Sequence, residues 1–438
     1  MSKRGLFAAA TLVLLLMFGY LYLAQPGRLL AGSTPSGADQ ALAPPASNQI
    51  TSLRHPYPTA APKSKPSKTP HASGSPNLLP SGSPTPGATP SPNPSSSPTP
   101  GATPTPTPAP TPAPTPPPTL QAGAMTVCGT SFCVGGRNWY MYGASEYQST
   151  GVIGINYPAA TIALARQGGL NTIRIINFYT HGDPAVTPYD PTTWGKVDRM
   201  IADAHAAGMH VDLGLADYRR ILWYNCINPY TYDWGQFISF VANRRNTVTG
   251  AIYKYDPTIS FISLAGEPLP VGVHTYTGQS GQSCTVTYSG QDLLNFYTRT
   301  LGEWQAQGPS VLGNTGGLGY INEANGAGIP WKSIFALSTD AFCDIKTYGG
   351  MYAYAPTVAA YCHSIGKPIM DEEFGWQQSM GDAQRASALH AATVMLHANG
   401  FAGEAFWNLN EQVVSTSYDI SPLTPLTWAT LIADNPGY

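Results

Sequence analysis

The feature that most constrains this 438-residue chain is a regular alternation of short β-prone runs and helical patterns beyond residue 123. The β-prone runs cover residues 138–145, 171–178, 209–216, 259–266, 310–316 (the weakest), 342–348, 367–374 and 401–408. Helical patterns lie between them at 159–167, 194–208, 234–246, 290–308 and 383–400. Eight such units predict an α/β fold, a (β/α)8 TIM barrel, with its site where loops leave the C-terminal strand ends. An open doubly wound sheet is the competing fold, but its Gly-rich phosphate turn is missing from the sequence.

The N-terminal part of the chain has a different composition. Of the 42 prolines, 26 lie between Ala31 and Leu120, a stretch without tryptophan or cysteine. Such a segment cannot bury enough apolar surface to offset the entropy of ordering, and its prolines favour an extended spacer. We therefore predict a Pro/Ser/Thr-rich disordered linker over residues 25–122 and one globular domain over 123–438.

A single long apolar run precedes this linker. It extends from Gly5 to Ala24 behind two basic residues, and about 20 apolar residues suffice to cross a bilayer as a helix. Residues 1–24 are thus predicted to be a membrane anchor or a signal segment. The length of the run favours an uncleaved anchor over a cleaved signal peptide. Both alternatives place the globular domain outside the cytoplasm.

Charge and cysteine content narrow the possible ligands. The first 124 residues contain seven basic residues and one acidic residue, whereas the rest contain 15 basic and 23 acidic residues. An acidic domain argues against nucleic acid as a partner. No Cys/His spacing is typical of a zinc site, so neither a metal nor another cofactor is predicted.

All six cysteines lie in the globular domain, and an exported domain with six cysteines is expected to form three disulfides. Spacing alone does not determine how they connect. Pairing in chain order is our working hypothesis: Cys128–Cys133, Cys226–Cys284 and Cys343–Cys362.

Carboxylates occur at two predicted strand ends. The fourth strand ends at Glu267, the seventh contains residues 371–373, and the eighth ends in residues 406–408, which include Trp407. Paired carboxylates are what glycoside hydrolysis requires, and an indole ring can stack under a sugar. Side-chain alternation in the seventh strand puts Asp371 and Glu373 on one face, so Glu373 is predicted to be the second carboxylate, with Glu372 as the alternative.

These residues resemble glycoside hydrolase family 5, a clan A family of retaining glycosidases on (β/α)8 barrels that includes β-mannanases and cellulases. The matching segments are residues 169–174, 243–268 and 367–375, together with Trp407. The resemblance implies that Glu267 is the acid/base and Glu373 the nucleophile. It also implies that Arg174 and Tyr348 hold the nucleophile and that Trp407 lies beneath the sugar being cleaved.

The sequence departs from the family at two positions. Gly266 stands where the family usually has an asparagine that binds the sugar 2-hydroxyl, and Lys346 stands where it usually has histidine. Both positions are therefore candidate substrate contacts, together with aromatic residues near strand exits. Those aromatics are Trp376 and Tyr218, with Trp139, Tyr147, Tyr179, Trp223 and Tyr224.

We thus expect an extracytoplasmic monomer that acts on polysaccharide, with membrane contact through its N-terminal segment and no nucleic acid partner. The expected reaction is retaining hydrolysis of β-1,4-linked polysaccharide, with β-mannan as the first substrate. Two alternatives stay open. One is an endo-β-1,4-glucanase on the same scaffold, and the other is a weakened, carbohydrate-binding pseudoenzyme.

Overall fold

The computed structural model describes residues 123–146, 158–176, 188–278, 280–321, 327–410 and 418–436. The predicted N-terminal segment and linker lie outside the described residues, as do Tyr147 and Tyr179. Among the residues that are described, no helix is both long enough and apolar enough to cross a membrane.

Strands and helices alternate along most of the described chain. The strands are β1 (Met125–Cys128), β2 (Ser131–Val134), β3 (Arg137–Trp139), β4 (Met141–Glu146), β5 (Thr172–Ile175), β6 (His210–Gly214), β7 (Ile259–Ser263), β8 (Gly272–Thr277), β9 (Ser283–Tyr288), β10 (Leu312–Asn314), β11 (Cys343–Thr347), β12 (Ile369–Phe374) and β13 (Gly403–Phe406). The α-helices are α1 (Pro158–Gln167), α2 (Pro191–Ala206), α3 (Ala216–Tyr224), α4 (Gly235–Asn243), α5 (Gly290–Ala306), α6 (Trp331–Phe335), α7 (Ala355–Ser364), α8 (Asp382–Ala398) and α9 (Pro425–Ala433).

Eight parallel strands form the central sheet, in the order β10-β7-β6-β5-β4-β13-β12-β11. Seven of them lie within a predicted β-prone run, including the weakest one at 310–316, and β4 extends one residue beyond its run, to Glu146. The two outer strands meet where Leu318, just after β10, pairs with Ile345 of β11. The predicted (β/α)8 barrel is therefore confirmed.

The helices form where the sequence supplies caps and apolar stripes. Ser289 and Asp292 make a capping box at the start of α5, and the Asp190 side chain accepts a hydrogen bond from the Thr193 amide at the start of α2. In α2 the buried side chains recur at helical spacing, so one face packs on the barrel. They include Trp194, Val197, Met200, Ile201 and Ala204.

The N-terminal end of the barrel is filled with apolar side chains. The antiparallel strands β1–β3 contribute Phe132, whose ring lies 5.0 Å from Phe261 and 4.9 Å from Phe342. Met125, Met141 and Met370 belong to the same buried cluster. Because this end is packed with hydrocarbon, polar chemistry is confined to the opposite, C-terminal end of the strands.

Three disulfides pair the cysteines in chain order, which confirms the working hypothesis. The Cys226–Cys284 bridge joins the loop after α3 to the β8–β9 hairpin. That hairpin follows Glu267 closely in sequence and was not predicted. Exposed side chains alternate with half-buried ones in β8 and with buried ones in β9, as expected of a two-stranded ribbon lying on a surface.

Candidate active site

Glu373 on β12 accepts hydrogen bonds from three side chains. Arg174 Nη1 lies 2.9 Å and Lys346 Nζ 2.8 Å from its Oε2, and the Tyr348 hydroxyl donates to Oε1 at 2.9 Å. The three donors come from β5, from β11 and from the residue directly after β11. The Glu373 side chain is 9% exposed, so these contacts replace most of its solvation.

The surroundings of Glu373 stabilise the ionised form of its carboxyl group. Burial alone would raise the pKa of its carboxyl, but the charges of Lys346 and Arg174 and the hydrogen bonds from Lys346 and Tyr348 outweigh burial and lower the pKa to about 2. Glu373 is thus an ionised carboxylate at any ordinary pH. An ionised, positioned carboxylate is suited to attack an electrophilic carbon.

Glu267 follows β7 at the same end of the barrel. Its side chain is 32% exposed, and its Oε2 lies 3.9 Å from Lys346 Nζ. The backbone beneath it is fixed by the buried Arg219, whose Nη1 donates to the carbonyl oxygens of Gly266 and Glu267. Glu267 therefore combines a rigid backbone with a solvent-accessible carboxyl group.

Lys346 is close to both carboxylates. Its Nζ is 2.8 Å from Glu373 Oε2 and 3.9 Å from Glu267 Oε2, so the two oxygens are no farther apart than the sum of these distances. This largest possible distance is compatible with the carboxyl separation of about 5–5.5 Å in retaining glycosidases. It excludes most of the separations of about 6.5–9.5 Å found in inverting glycosidases. The structure thus brings the two predicted carboxylates together.

Two glycines lie beside Lys346, and Gly317 makes room for its side chain. A Cβ on Gly317 would lie 2.7 Å from Lys346 Cγ and 2.8 Å from Cε, and a Cβ on Gly266 would lie 3.6 Å from Nζ. Gly266 has a φ of +56° and Gly317 a φ of +85°, so both occupy the left-handed region. A Cβ on Gly266 would also lie 2.7 Å from the Gly316 carbonyl oxygen. The Lys346 ammonium thus occupies space toward which a side chain at position 266 would project.

A layer of buried charges supports Glu373 from below. Arg174 Nε lies 3.2 Å from Glu372 Oε1 and 3.4 Å from Asp212 Oδ2, and the Arg174 side chain is 1% exposed. Burial and the neighbouring Glu372 raise the pKa of Asp212 well above its ordinary value. Asp344 accepts hydrogen bonds from the Gly316 and Gly317 amides, and burial followed by Glu372 raises its pKa to about 7. This layer fixes both Arg174 and the glycine turn beside Lys346.

The alternation argument for Glu373 is wrong, although Glu373 does point toward the site. Asp371, expected on the same face, is buried and accepts a hydrogen bond from Thr347 Oγ1. The register of β12 shifts against both neighbours, between Asp371 and Phe374 on one side and beside Glu373 on the other. Such a bulge breaks strict alternation, so Glu372 and Glu373 can both reach Arg174.

The predicted aromatic residues have different environments. Trp407 is half-buried directly after β13, and its amide donates to the Phe374 carbonyl. Trp376 lies 5.5 Å from the Tyr352 ring and lines a cavity of about 470 Å³. Tyr348 and Tyr418 line the same cavity, and the Tyr348 hydroxyl donates to Glu373, so the cavity is one residue away from that carboxylate.

Tyr218 has a packing environment instead. It is 5% exposed and lies in α3, with its ring stacked on Phe237 at 4.0 Å and edge-on to Trp234 at 4.9 Å. We therefore leave Tyr218 out of the proposed substrate site.

Trp223 lies beneath Arg219, with 4.9 Å between the guanidinium carbon and the ring. Its role is thus to support the residue that fixes Glu267.

Sequence reasoning missed Arg219 and Tyr320. Tyr320 is 40% exposed after the glycine-rich segment 316–319, and burial followed by the charge of Glu267 raises the pKa of its phenol. The sequence signal that could have identified Tyr320 is a tyrosine that follows three glycines in a strand-exit loop.

Across the described ranges, no group of three or more His, Cys, Asp and Glu side chains is arranged to hold a metal ion.

Comparison with known proteins shows that the chain is similar to several of them in fold. No protein-family model matches the chain, and no curated protein matches it in sequence. Among solved structures, the endo-1,4-β-mannanase of Rhizomucor miehei superimposes with a TM-score of 0.59 at 18% identity, over 72% of this chain and 100% of that one.

Two further structures are similar. The endo-β-1,4-mannanase of Thermotoga petrophila gives a TM-score of 0.54 at 18% identity, over 69% of this chain and 78% of that one. The glycoside hydrolase family 5 mannosidase of R. miehei gives 0.54 at 14% identity, over 72% and 98%. The expected resemblance to family 5 barrels is therefore confirmed at the level of the fold, at low sequence identity.

Proposed function

We propose that residues 123–438 form a retaining glycoside hydrolase that cleaves β-1,4-linked polysaccharide. The observation that carries this proposal is the meeting of Glu267 and Glu373 at the open end of the barrel, joined by contacts to Lys346. One carboxylate is buried and held ionised, and the other is accessible. This difference in environment matches the two different tasks that the reaction requires.

The first step forms a glycosyl-enzyme. Glu373 Oε attacks the anomeric carbon while the bond from that carbon to the leaving oxygen breaks, and Glu267 gives its proton to that oxygen. The negative charge of Glu373 is consumed in the new ester bond, and Glu267 is left as a carboxylate. Arg174 and Tyr348 hold Glu373 in position for the attack.

The second step releases the sugar. Glu267 takes a proton from a water molecule, whose oxygen attacks the anomeric carbon, and the ester bond to Glu373 breaks. Glu373 becomes a carboxylate again and Glu267 is protonated again. In each step the anomeric carbon is attacked on the side opposite the bond that breaks. Two such displacements leave the product with the anomeric configuration of the substrate.

β-Mannan is the substrate that we propose first. The mannanases of R. miehei and T. petrophila share the fold of this chain, which supports mannan by analogy of fold. The cavity beside Tyr348 and Trp376 supplies aromatic surface next to Glu373, where a neighbouring sugar ring can stack. β-1,4-Glucan is the alternative substrate on the same scaffold.

We also propose that the enzyme acts outside the cytoplasm. Three disulfides join the described cysteines, and disulfides persist in oxidising compartments. Attachment to a membrane through residues 1–24 stays a prediction from sequence.

A polysaccharide panel tests the proposal. Purified full-length protein is incubated with mannan, glucomannan and cellulose, and products are analysed by chromatography and by reducing-end release. We expect oligosaccharides from mannan, loss of more than about 1000-fold in rate for Glu373→Ala, and no loss for the control Glu303→Gln on α5. Binding of a polysaccharide without product release would instead indicate a carbohydrate-binding protein. Product from glucan alone would indicate a glucanase.

A further inference from the structure

The ammonium group of Lys346 is held in a built position. The Lys346 side chain is 6% exposed, its Nζ lies 2.8 Å from Glu373 Oε2, and the left-handed Gly317 leaves the space that the side chain occupies. A buried ammonium is costly unless its charge is compensated. In the free protein that compensation comes mainly from Glu373, because Glu267 is more distant at 3.9 Å.

This compensation must change during the proposed reaction. When the glycosyl-enzyme forms, Glu373 loses its negative charge to the ester, and Glu267 gains one by giving up its proton. One negative charge therefore moves from one carboxylate near Lys346 to the other. A cation that already lies within 3.9 Å of both carboxylates stabilises that shift without large rearrangement, which is the kind of preorganised electrostatics that lowers reaction barriers.

We propose that Lys346 is a catalytic residue that balances the charge of Glu373 in the free enzyme and the charge of Glu267 in the transition state of the first step. The inference rests on the proposed glycosidase function. Lys346 transfers no proton and takes no part in covalent bonding. Lys346 Nζ lies 3.9 Å from Glu267 Oε2 in the free protein. A shift of about 1 Å toward Glu267 brings Nζ within hydrogen-bond distance of that oxygen.

The charge role has a distinctive kinetic signature. A leaving group that needs protonation makes Glu267 ionise in the transition state, whereas a dinitrophenolate leaves without a proton from Glu267. Removing the Lys346 charge should therefore harm the first class of substrate more than the second. A residue that only holds Glu373, or only binds a sugar hydroxyl, should affect both classes by the same factor.

The experiment measures kcat/KM of the full-length protein on two aryl β-glycosides of the sugar that the polysaccharide panel identifies, one with a poor phenol and one with 2,4-dinitrophenol as leaving group. For Lys346→Met we expect a loss of about 100-fold on the poor leaving group and less than about 5-fold on dinitrophenol. Tyr348→Phe, which removes a contact to Glu373 only, should lower both by one factor. Lys332→Met on α6, the same chemical change on the surface, should lower neither.

Equal losses on both substrates for Lys346→Met would overturn the charge role while leaving the hydrolase intact. Lys346→Gln, which keeps a hydrogen-bond donor for Glu373, gives the same comparison if the methionine variant unfolds, and thermal unfolding identifies that case. A folded wild-type protein that releases product from no polysaccharide of the panel would overturn the proposed function, and the inference about Lys346 with it.

Discussion

Arg174 on β5 and Glu373 on β12 form a 2.9 Å ion pair inside the barrel, although 199 residues separate them in sequence. The same guanidinium also faces Glu372 and Asp212, both of which are fully buried. The attraction of these carboxylates outweighs burial and raises the pKa of Arg174. Arg174 is therefore both the main positive charge of the buried layer and a direct support of the proposed nucleophile.

Replacing Arg174 should destabilise the fold as well as stop the reaction. Arg174→Met leaves buried carboxylates without their cation, and breaking a buried pair in this way typically costs about 3–5 kcal/mol. Urea denaturation measures the free energy of unfolding. The control is Arg199→Met in α2, whose pair with Asp203 lies on the surface and should be worth less than about 1 kcal/mol. Similar losses in both variants would contradict the structural role of Arg174.

The acidic limb of activity should lie well below the ordinary glutamate range. Because Lys346 and Arg174 hold the pKa of Glu373 at about 2, kcat/KM should stay high as the pH falls through 4.5 and should decline only near pH 2. In Lys346→Met the limb should move to higher pH. Rates on a dinitrophenyl glycoside between pH 2 and 7 measure this, and circular dichroism at each pH separates it from unfolding.

The same lowered pKa has a consequence for stability. A carboxyl whose pKa is lower in the folded than in the unfolded state stabilises the fold above its unfolded pKa, and that contribution is lost as the pH falls through the folded value. Glu373 thus contributes stability above about pH 4.5 that is lost toward pH 2. If kcat/KM instead declined at or above pH 4.5, Lys346 and Arg174 would not be lowering the pKa of Glu373.

The glycine turn beside Lys346 should matter for activity more than for stability. In Gly317→Ala the new Cβ would collide with Glu372 Oε2 and crowd Lys346 Cγ, so the ammonium should move away from Glu373. The matched control is Gly250→Ala, which has a similar φ of +76° and an open space around the Cβ. Both should lose about 1–2 kcal/mol from backbone strain, and Gly317→Ala should lose more because its Cβ also meets buried side chains. Only Gly317→Ala should lose kcat/KM, and equal activity in the two variants would contradict a role for the turn.

The positions of the eight strands could be predicted because short β-prone runs and helices alternate strongly. The strand ends then identified Glu267 and Glu373 as a pair, since C-terminal ends of parallel strands converge in a barrel. Alternation in β12 could not be used in the same way, because the bulge near Glu373 depends on pairing with β11 and β13. Register shifts of this kind arise from contacts between strands that are distant in sequence.

Other parts of the site depend on tertiary contacts in the same manner. The support of Glu267 by Arg219 joins α3 to the end of β7, and nothing in either segment alone indicates it. Tyr218 follows a strand exit as a substrate-binding aromatic could, but α3 begins at Ala216, so its ring turns toward Phe237 of α4. Position along the chain therefore predicted the location of the site better than the direction of its side chains.

The cavity beside Glu373 should contribute to binding of a long substrate. Trp376 forms part of its wall with Tyr352, and stacking of a sugar on an indole is favoured by burial of the apolar C–H face. Trp376→Ala should raise KM for the polysaccharide by about 10-fold, equivalent to roughly 1.4 kcal/mol, and should leave kcat/KM for a short aryl glycoside nearly unchanged. The short substrate is the internal control, because it reacts at Glu373 without occupying a neighbouring subsite. An equal loss on both substrates would mean that Trp376 acts on Glu373 through its neighbours, and an unchanged KM for the polysaccharide would place the sugar chain elsewhere along the cleft.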